Sequence, residues 1–178
     1  MDLSGPHVIV ANHCSYLDSV FVAALLPTPH LFVAKAELSR IRAVRACLRK
    51  VGTLFIERFA PVQSVAEVDR LKTELARGNP IIMFPEGTFT RITGLRPFHL
   101  GAFRVAVAAG ATVVPVTLRG TRSMLRAGQW LPRRVPVSAV IGPPLMAQAD
   151  GDAFGTAVRL RDATRDRILR HCGEPDLV

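Results

Sequence analysis

Acidic residues are scarce in this chain: 14 Asp and Glu stand against 23 Lys and Arg over 178 residues, a formal net charge of +9. The imbalance favours anionic partners such as phosphates, an acidic membrane surface or nucleic acid, without choosing among them. Aromatic residues are also few, 6% of the chain with one Trp and one Tyr. Base-stacking platforms are therefore poorly supplied, and nucleic acid is not expected as a partner. The three cysteines, Cys14, Cys47 and Cys172, are widely spaced and form no CxxC pair. Neither a disulfide framework nor a metal site is indicated, and a reducing cytosolic setting fits best. The longest apolar stretch, about 103–118, is broken by Gly110 and Pro115 and falls short of the roughly 20 residues a spanning helix needs. Ahead of the first short apolar run, the N-terminus carries Asp2 and no basic residue, unlike a signal peptide.

With 49% hydrophobic and 21% charged residues, the chain is apolar enough and long enough for one sizeable core. All but three of the basic residues are Arg, whose planar fork grips phosphate through paired hydrogen bonds. Coding bias in an Arg-rich proteome also accounts for such an excess. Apolar runs at 8–11, 31–34, 53–56, 81–84, 112–118 and 135–141 read as strands. Between them, helices are expected at 16–26, 37–50, 61–77, 100–109 and 153–171. The helix at 37–50 has Leu38, Ile41, Val44, Leu48 and Val51 at three- and four-residue spacing, bordered by Arg42, Arg45 and Arg49. Such a helix faces either a core or a membrane surface. Strands alternating with helices predict one α/β domain over 1–178, a sandwich of helices around a mixed, largely parallel sheet. The first strand starts almost at once, which suggests a domain cut from a longer protein.

Ligands in such folds gather beyond the carboxyl ends of strands, and four turns there carry unusual chemistry. In Asn12-His13-Cys14-Ser15-Tyr16-Leu17-Asp18, a helix starting near Ser15 would leave His13 ahead of it, with Asp18 able to reach back and fix the imidazole's tautomer. That is a general base with an orienting carboxylate. Ser15 and Asp18 are equally spaced as a capping box, which needs no catalysis. Arg58 follows the strand 53–56, where it could clamp a phosphate or simply be solvated. Phe84-Pro85-Glu86-Gly87-Thr88-Phe89-Thr90-Arg91 packs an acid, a flexible Gly, hydroxyls and an Arg behind a buried strand. Exposed amides at Gly87 could hold an anion, or the segment could be a tight turn with a charged rim. In the fourth run, Pro115 restricts strand 112–118 to a sheet edge or a bulge.

In this order the four turns resemble the sequence blocks of the glycerolipid acyltransferase family, the lysophosphatidic acid and glycerol-3-phosphate acyltransferases. The matching residues are Asn12, His13 and Asp18; Gly52, Phe55, Ile56 and Arg58; Phe84 to Thr88; and the apolar run around Pro115. The resemblance spans about 8–120 and implies a glycerol-3-phosphate acyltransferase-like fold. It implies acyl transfer from acyl-CoA or an acyl carrier protein thioester to the hydroxyl of a lysophospholipid, foremost 1-acyl-glycerol-3-phosphate. It further implies His13 as general base, Asp18 as its partner, and Arg58, Glu86, Gly87, Thr88 and Arg91 as the acceptor-binding residues, with no metal or other cofactor. Many members carry Arg where Phe89 stands here, so a phosphate contact expected there passes to Arg91. Developing negative charge on the thioester oxygen would be met by amides at the start of the first helix. The lipid substrates imply a peripheral enzyme on the cytoplasmic, inner face of the cell membrane. Two alternatives stay open: a thioesterase-like hydrolase with Cys14 or Ser15 as nucleophile, and a non-catalytic basic module that binds membranes.

Overall fold

The computed structural model describes residues 5–26, 30–35, 53–56, 65–129, 131–147 and 151–178. Among these, six strands form one sheet: β1 (His7–Ala11), β2 (Leu31–Lys35), β3 (Thr53–Ile56), β4 (Ile81–Met83), β5 (Thr112–Arg119) and β6 (Ser138–Ile141). Their order is β3-β2-β4-β1-β5-β6. Every pairing is parallel except β5 with β6, so the expected mixed, largely parallel sheet is present. The helices are α1 (Asp18–Leu25), α2 (Val65–Ala76), α3 (Gly101–Ala109), the single turn α4 (Thr121–Met124) and α5 (Ala153–Cys172). The striped helix expected at 37–50 and the strand exit carrying Arg58 lie outside the described residues.

Burial follows the alternation of side chains along the strands. Val8 and Val10 of β1 join Ile81 and Met83 in a core completed by Leu71 and Leu75 of α2, Phe103 of α3 and Leu160 and Ile168 of α5. Ile9 and Ala11 face the other way, onto Val22 of α1 with Ile82, Val114 and Val116. A strand buried on both faces reads as an unbroken apolar run, which is what His7–Ala11 shows. The neighbours β1 and β4 therefore send their connections to opposite faces, β1 into α1 and β4 into the loop before α3. Such a switch point opens a crevice beyond the carboxyl ends of the strands.

Helix ends obey local rules. Asp152 caps α5 by accepting the Gly155 N–H at 3.0 Å. Gly110 ends α3 in the left-handed region at φ +59°, where a Cβ would be strained. The last strand is shorter than the expected 135–141. Its partner β5 ends at Arg119, paired with Ser138, and Gly120 then turns the chain into α4, leaving 135–137 nothing to pair with.

Pro115 sits in an interior strand but opposite a bulge, one of the two settings its missing N–H permits. Val116 pairs with Ile141 and Val113 bridges to Leu145, so Val114 and Pro115 face three residues, Gly142, Pro143 and Pro144. Gly142 donates to the Pro115 carbonyl at 2.8 Å.

Where β1 ends, fully buried Asn12 reaches across to β5: its Nδ2 donates to the Leu118 carbonyl at 2.9 Å, and its Oδ1 accepts the Leu118 N–H at 2.7 Å. Asn12→Ala would orphan both groups, and at about 1 to 3 kcal/mol each the protein should lose roughly 2 to 6 kcal/mol of stability. Urea melts compare the two proteins; a loss under about 1 kcal/mol would show that the clamp is dispensable.

Candidate active site

His13 follows β1 and precedes α1, which begins at Asp18. Residues five apart on one helix diverge, but here the chain between them is a turn, and Asp18 folds back under the ring. His13 Nδ1 lies 2.9 Å from Asp18 Oδ2. The same oxygen accepts the Cys14 N–H at 2.6 Å and the Ser15 N–H at 2.7 Å. The N-cap of α1 is Leu17, without a side-chain cap, so this is no capping box; the fully buried carboxylate instead gathers the amides of the turn and orients the imidazole. With Nδ1 committed to Asp18, Nε2 is the nitrogen left to exchange a proton. The ring stacks on Phe84, centroids 4.4 Å apart, and meets the edge of Phe89 at 4.5 Å; Tyr16 closes on Phe89 at 4.7 Å.

Glu86, expected as an acceptor ligand, is 2% exposed and turns both oxygens to the backbone. Oε1 accepts the His13 N–H at 2.7 Å and Oε2 the Arg96 N–H at 3.0 Å. Burial raises its carboxyl above the ordinary glutamate range, against those two donors, which lower it. Gly87, at φ +80°, closes a tight turn by donating to Phe84. Thr88 is exposed, and its carbonyl accepts from Arg96 Nη1 at 3.2 Å. Arg91 is exposed and donates from Nε to the Ala127 carbonyl at 3.1 Å. His13, Asp18 and Glu86 thus come together, while Thr88 and Arg91 stand on the loop that Glu86 anchors.

That loop walls a cavity of about 520 Å³ lined by Thr90, Arg91, Arg122, Arg126 and Gln129 among others. Arg122, absent from the sequence-based site, donates from Nε to Glu174 at 2.7 Å and from Nη1 to the carbonyls of Thr90 and Ile92. Burial lowers its guanidinium's proton affinity, and the Glu174 pair more than offsets this, leaving it raised. Its one sequence signal is position, just past the carboxyl end of a buried strand. Glu174 has no such signal.

Five amides of the turn leading into α1 are already spent. Those of Cys14 and Ser15 go to Asp18, that of Leu17 to the Ser15 hydroxyl, that of Asp18 to the Ser15 carbonyl and that of His13 to Glu86. These five do not serve the expected oxyanion site, because a donor pointed at a partner within the chain cannot also meet a substrate oxygen. The alternative nucleophiles are similarly placed. Ser15 is buried with its hydroxyl donating to the Leu125 carbonyl at 2.8 Å. Burial, reinforced by Asp18, pushes the buried Cys14 thiol up to about 12, where it holds its proton at any working pH.

Residues 2–119 match the family model described as Acyltransferase. The chain is 35% identical over 124 residues to a 1-acyl-sn-glycerol-3-phosphate acyltransferase of Chlamydomonas reinhardtii, covering 70% of this chain and 37% of that protein. It is 37% identical over 113 residues to a lyso-ornithine lipid O-acyltransferase of Pseudomonas aeruginosa, covering 64% and 43%. These curated relatives are thus more than twice as long as the stretch they share with it. The fold matches the crystal structure of the 1-acyl-sn-glycerophosphate acyltransferase PlsC from Thermotoga maritima with a TM-score of 0.76 at 24% identity, over 95% of this chain and 66% of that one. With two thirds of its length inside the family model and the His13–Asp18 turn at the head of that region, the chain belongs to the acyltransferase family.

Proposed function

We propose that this chain transfers a fatty acyl group from acyl-CoA or an acyl carrier protein thioester to the hydroxyl of a lysophospholipid, with 1-acyl-glycerol-3-phosphate as the acceptor. The observation that carries the reading is the single Asp18 oxygen holding His13 Nδ1 at 2.9 Å, which leaves Nε2 as base. The relatives named above support the substrate class. An acyl thioester is already activated, so the step needs mainly the hydroxyl proton removed. His13 Nε2 takes that proton as the acceptor oxygen bonds to the thioester carbon. The C–S bond then breaks, and the departing thiolate takes the proton from the imidazolium, restoring neutral His13. Asp18 stabilises the transient cation. Written this way, the transfer requires the two substrates and no further cofactor.

His13→Ala and Asp18→Ala should each lower acyl transfer by at least about 10²-fold in folded protein, and the double variant should be little worse, because both act on one proton transfer. Asp18→Ala should also lose about 1 to 3 kcal/mol of stability, because the buried Cys14 and Ser15 N–H groups lose their acceptor. Cys14→Ala should keep its turnover, and the rate should not climb between about pH 8 and 10, because Cys14 does not ionise there. Near-normal turnover in a folded Asp18→Ala protein would sink the base assignment; a rate rising through that window and abolished in Cys14→Ala would replace it with a thiolate mechanism.

The acceptor's phosphate is assigned to Arg58 and Arg91, with Gly87 and Thr88 shaping the loop that Glu86 anchors. The cavity beside Arg91 supports the assignment, since its Arg126 makes no side-chain hydrogen bond to a described residue and a dianion would find unspent charge there. A charge-assisted Arg–phosphate contact is worth roughly 1.5 to 3 kcal/mol, so Arg58→Ala or Arg91→Ala should raise KM for a phosphorylated acceptor by about 10- to 150-fold. KM for the thioester should barely move. Equal losses with phosphorylated and unphosphorylated acceptors would reassign both residues to structural roles.

The setting of the reaction is proposed as the cytoplasmic side, peripheral on the inner face of the cell membrane. Among the described residues no helix is long and apolar enough to cross a bilayer. Tyr16, Val20, Ile92 and Leu131 are each more than half exposed around the site, and residues 121–149 carry four Arg and no acid. Exposed aliphatic groups beside Arg suit an anionic lipid surface. The chain should sediment with phosphatidylglycerol vesicles, less with phosphatidylcholine, and come off in high salt; indifference to lipid charge would remove the support.

A further inference from the structure

We infer that Glu174 is a positioning residue for His13, acting through a C-terminal strap, residues 173–178, that holds the loop between β4 and α3 in its working shape. The inference rests on the acyl-transfer reading above and lies beyond residues 2–119, the part matched by the family model.

That loop, residues 84–100, contains neither helix nor paired strand beyond one bridge, so its shape must come from elsewhere. The strap supplies it. Leu95 donates to the Pro175 carbonyl at 2.8 Å, and Leu177 donates back to the Leu95 carbonyl at 3.2 Å, a parallel bridge alongside Asp176. Gly94, at φ +139°, leaves room for the Leu177 side chain, since a Cβ built there would lie 2.3 Å from Leu177 Cγ. Arg165 of α5 locks the crossing, donating to the carbonyls of Leu95 at 3.0 Å and Arg96 at 3.3 Å and pairing with Asp176.

Glu174 is the junction between strap and site. Its side chain is 12% exposed. Oε2 accepts the Gly94 N–H at 2.6 Å, and Oε1 accepts from Arg122 Nε at 2.7 Å. Arg122 in turn grips the Thr90 and Ile92 carbonyls at 2.9 and 3.1 Å. One carboxylate therefore fixes three points of the loop between Thr90 and Gly94. Two residues on, the Arg96 N–H binds Glu86, whose other oxygen holds the His13 N–H. The path from Glu174 to the base runs through the hydrogen bond to Gly94, two residues of backbone, and the two hydrogen bonds of Glu86, with no side-chain packing step in it. A misplacement of about 1 Å in a reacting group is enough to cost about 10²-fold in rate.

The test measures kcat, KM for each substrate and local amide exchange in the full chain carrying Glu174→Ala or Glu174→Gln, with His13→Ala alongside. We expect Glu174→Ala to lower kcat by about 10- to 100-fold with KM for the thioester within about twofold of the parent. Glu174→Gln, which keeps one acceptor oxygen, should recover part of the loss. Exchange at the amides of His13 and Arg96 should quicken in both variants while the β1 and β4 amides stay protected. If Glu174→Ala does not fold, Glu174→Gln carries the test with the same readouts. A normal kcat in folded Glu174 variants, or faster exchange spread evenly over the sheet, would overturn the inference and leave Glu174 a plain structural residue. No acyl transfer by the parent chain would overturn the acyl-transfer reading, and activity surviving in His13→Ala would overturn the base assignment, whereas an inactive His13→Ala beside a normal Glu174→Ala removes only the strap.

Discussion

Two segments that meet at the site have no reason of their own to stay in register: the turn after β1 and the loop after β4. The buried Glu86 carboxylate joins them, one oxygen on the His13 N–H and the other on the Arg96 N–H. Burial dominates its proton affinity and raises it. An acid raised in this way favours the fold fully below the ordinary glutamate value, and that contribution is lost as pH climbs through the raised value. The ionised form of the bridge is therefore a stability cost. It is repaid in geometry, because both N–H groups would otherwise be orphaned beside His13, and because the bridge sets where the imidazole stands relative to the wall of Phe84 and Phe89.

Asp18 shows the same economy on a smaller scale. Its Oδ2 gathers the Cys14 and Ser15 amides and His13 Nδ1, so holding the turn and orienting the ring are one arrangement. A consequence follows for transition-state charge. The amides of His13, Cys14, Ser15, Leu17 and Asp18 all point at partners within the chain, so under the proposed reaction a thioester oxygen would be met by none of these five.

Much of this was legible in the sequence wherever the signal was local. The strand and helix pattern and the Gly110 stop are local, as is the Pro115 restriction, which the structure resolves as a bulge. The five-residue spacing of His13 and Asp18 was readable because a turn, not a helix, separates them. Glu86 was visible as a charge in a strand-exit motif, but sequence carries no information on where its oxygens point, and they point at backbone. The strand at 135–141 read too long because its limit is set by its partner, at Gly120. The Arg122–Glu174 pair was hidden for a different reason: 52 residues apart, joined by neither periodicity nor motif, it exists only once α5 has carried the chain back across the sheet.

Charge accounting around the cavity ties these threads together. Three Arg side chains line it, but they are not equivalent. Arg122 is largely buried, paired with Glu174 and occupied with two loop carbonyls, so its charge is already answered and its role is mechanical. Arg91 commits only Nε, to Ala127, and keeps its terminal nitrogens. Arg126 is exposed and keeps all of its donors among the described residues. Under the proposed reading, the field that an acceptor phosphate would meet is therefore set by Arg91 and Arg126, at the rim, while the buried cation holds the wall in place. A paired Arg resists deprotonation and displacement alike, so a wall fixed in that way would present the two rim charges at a constant spacing to a phosphorylated headgroup.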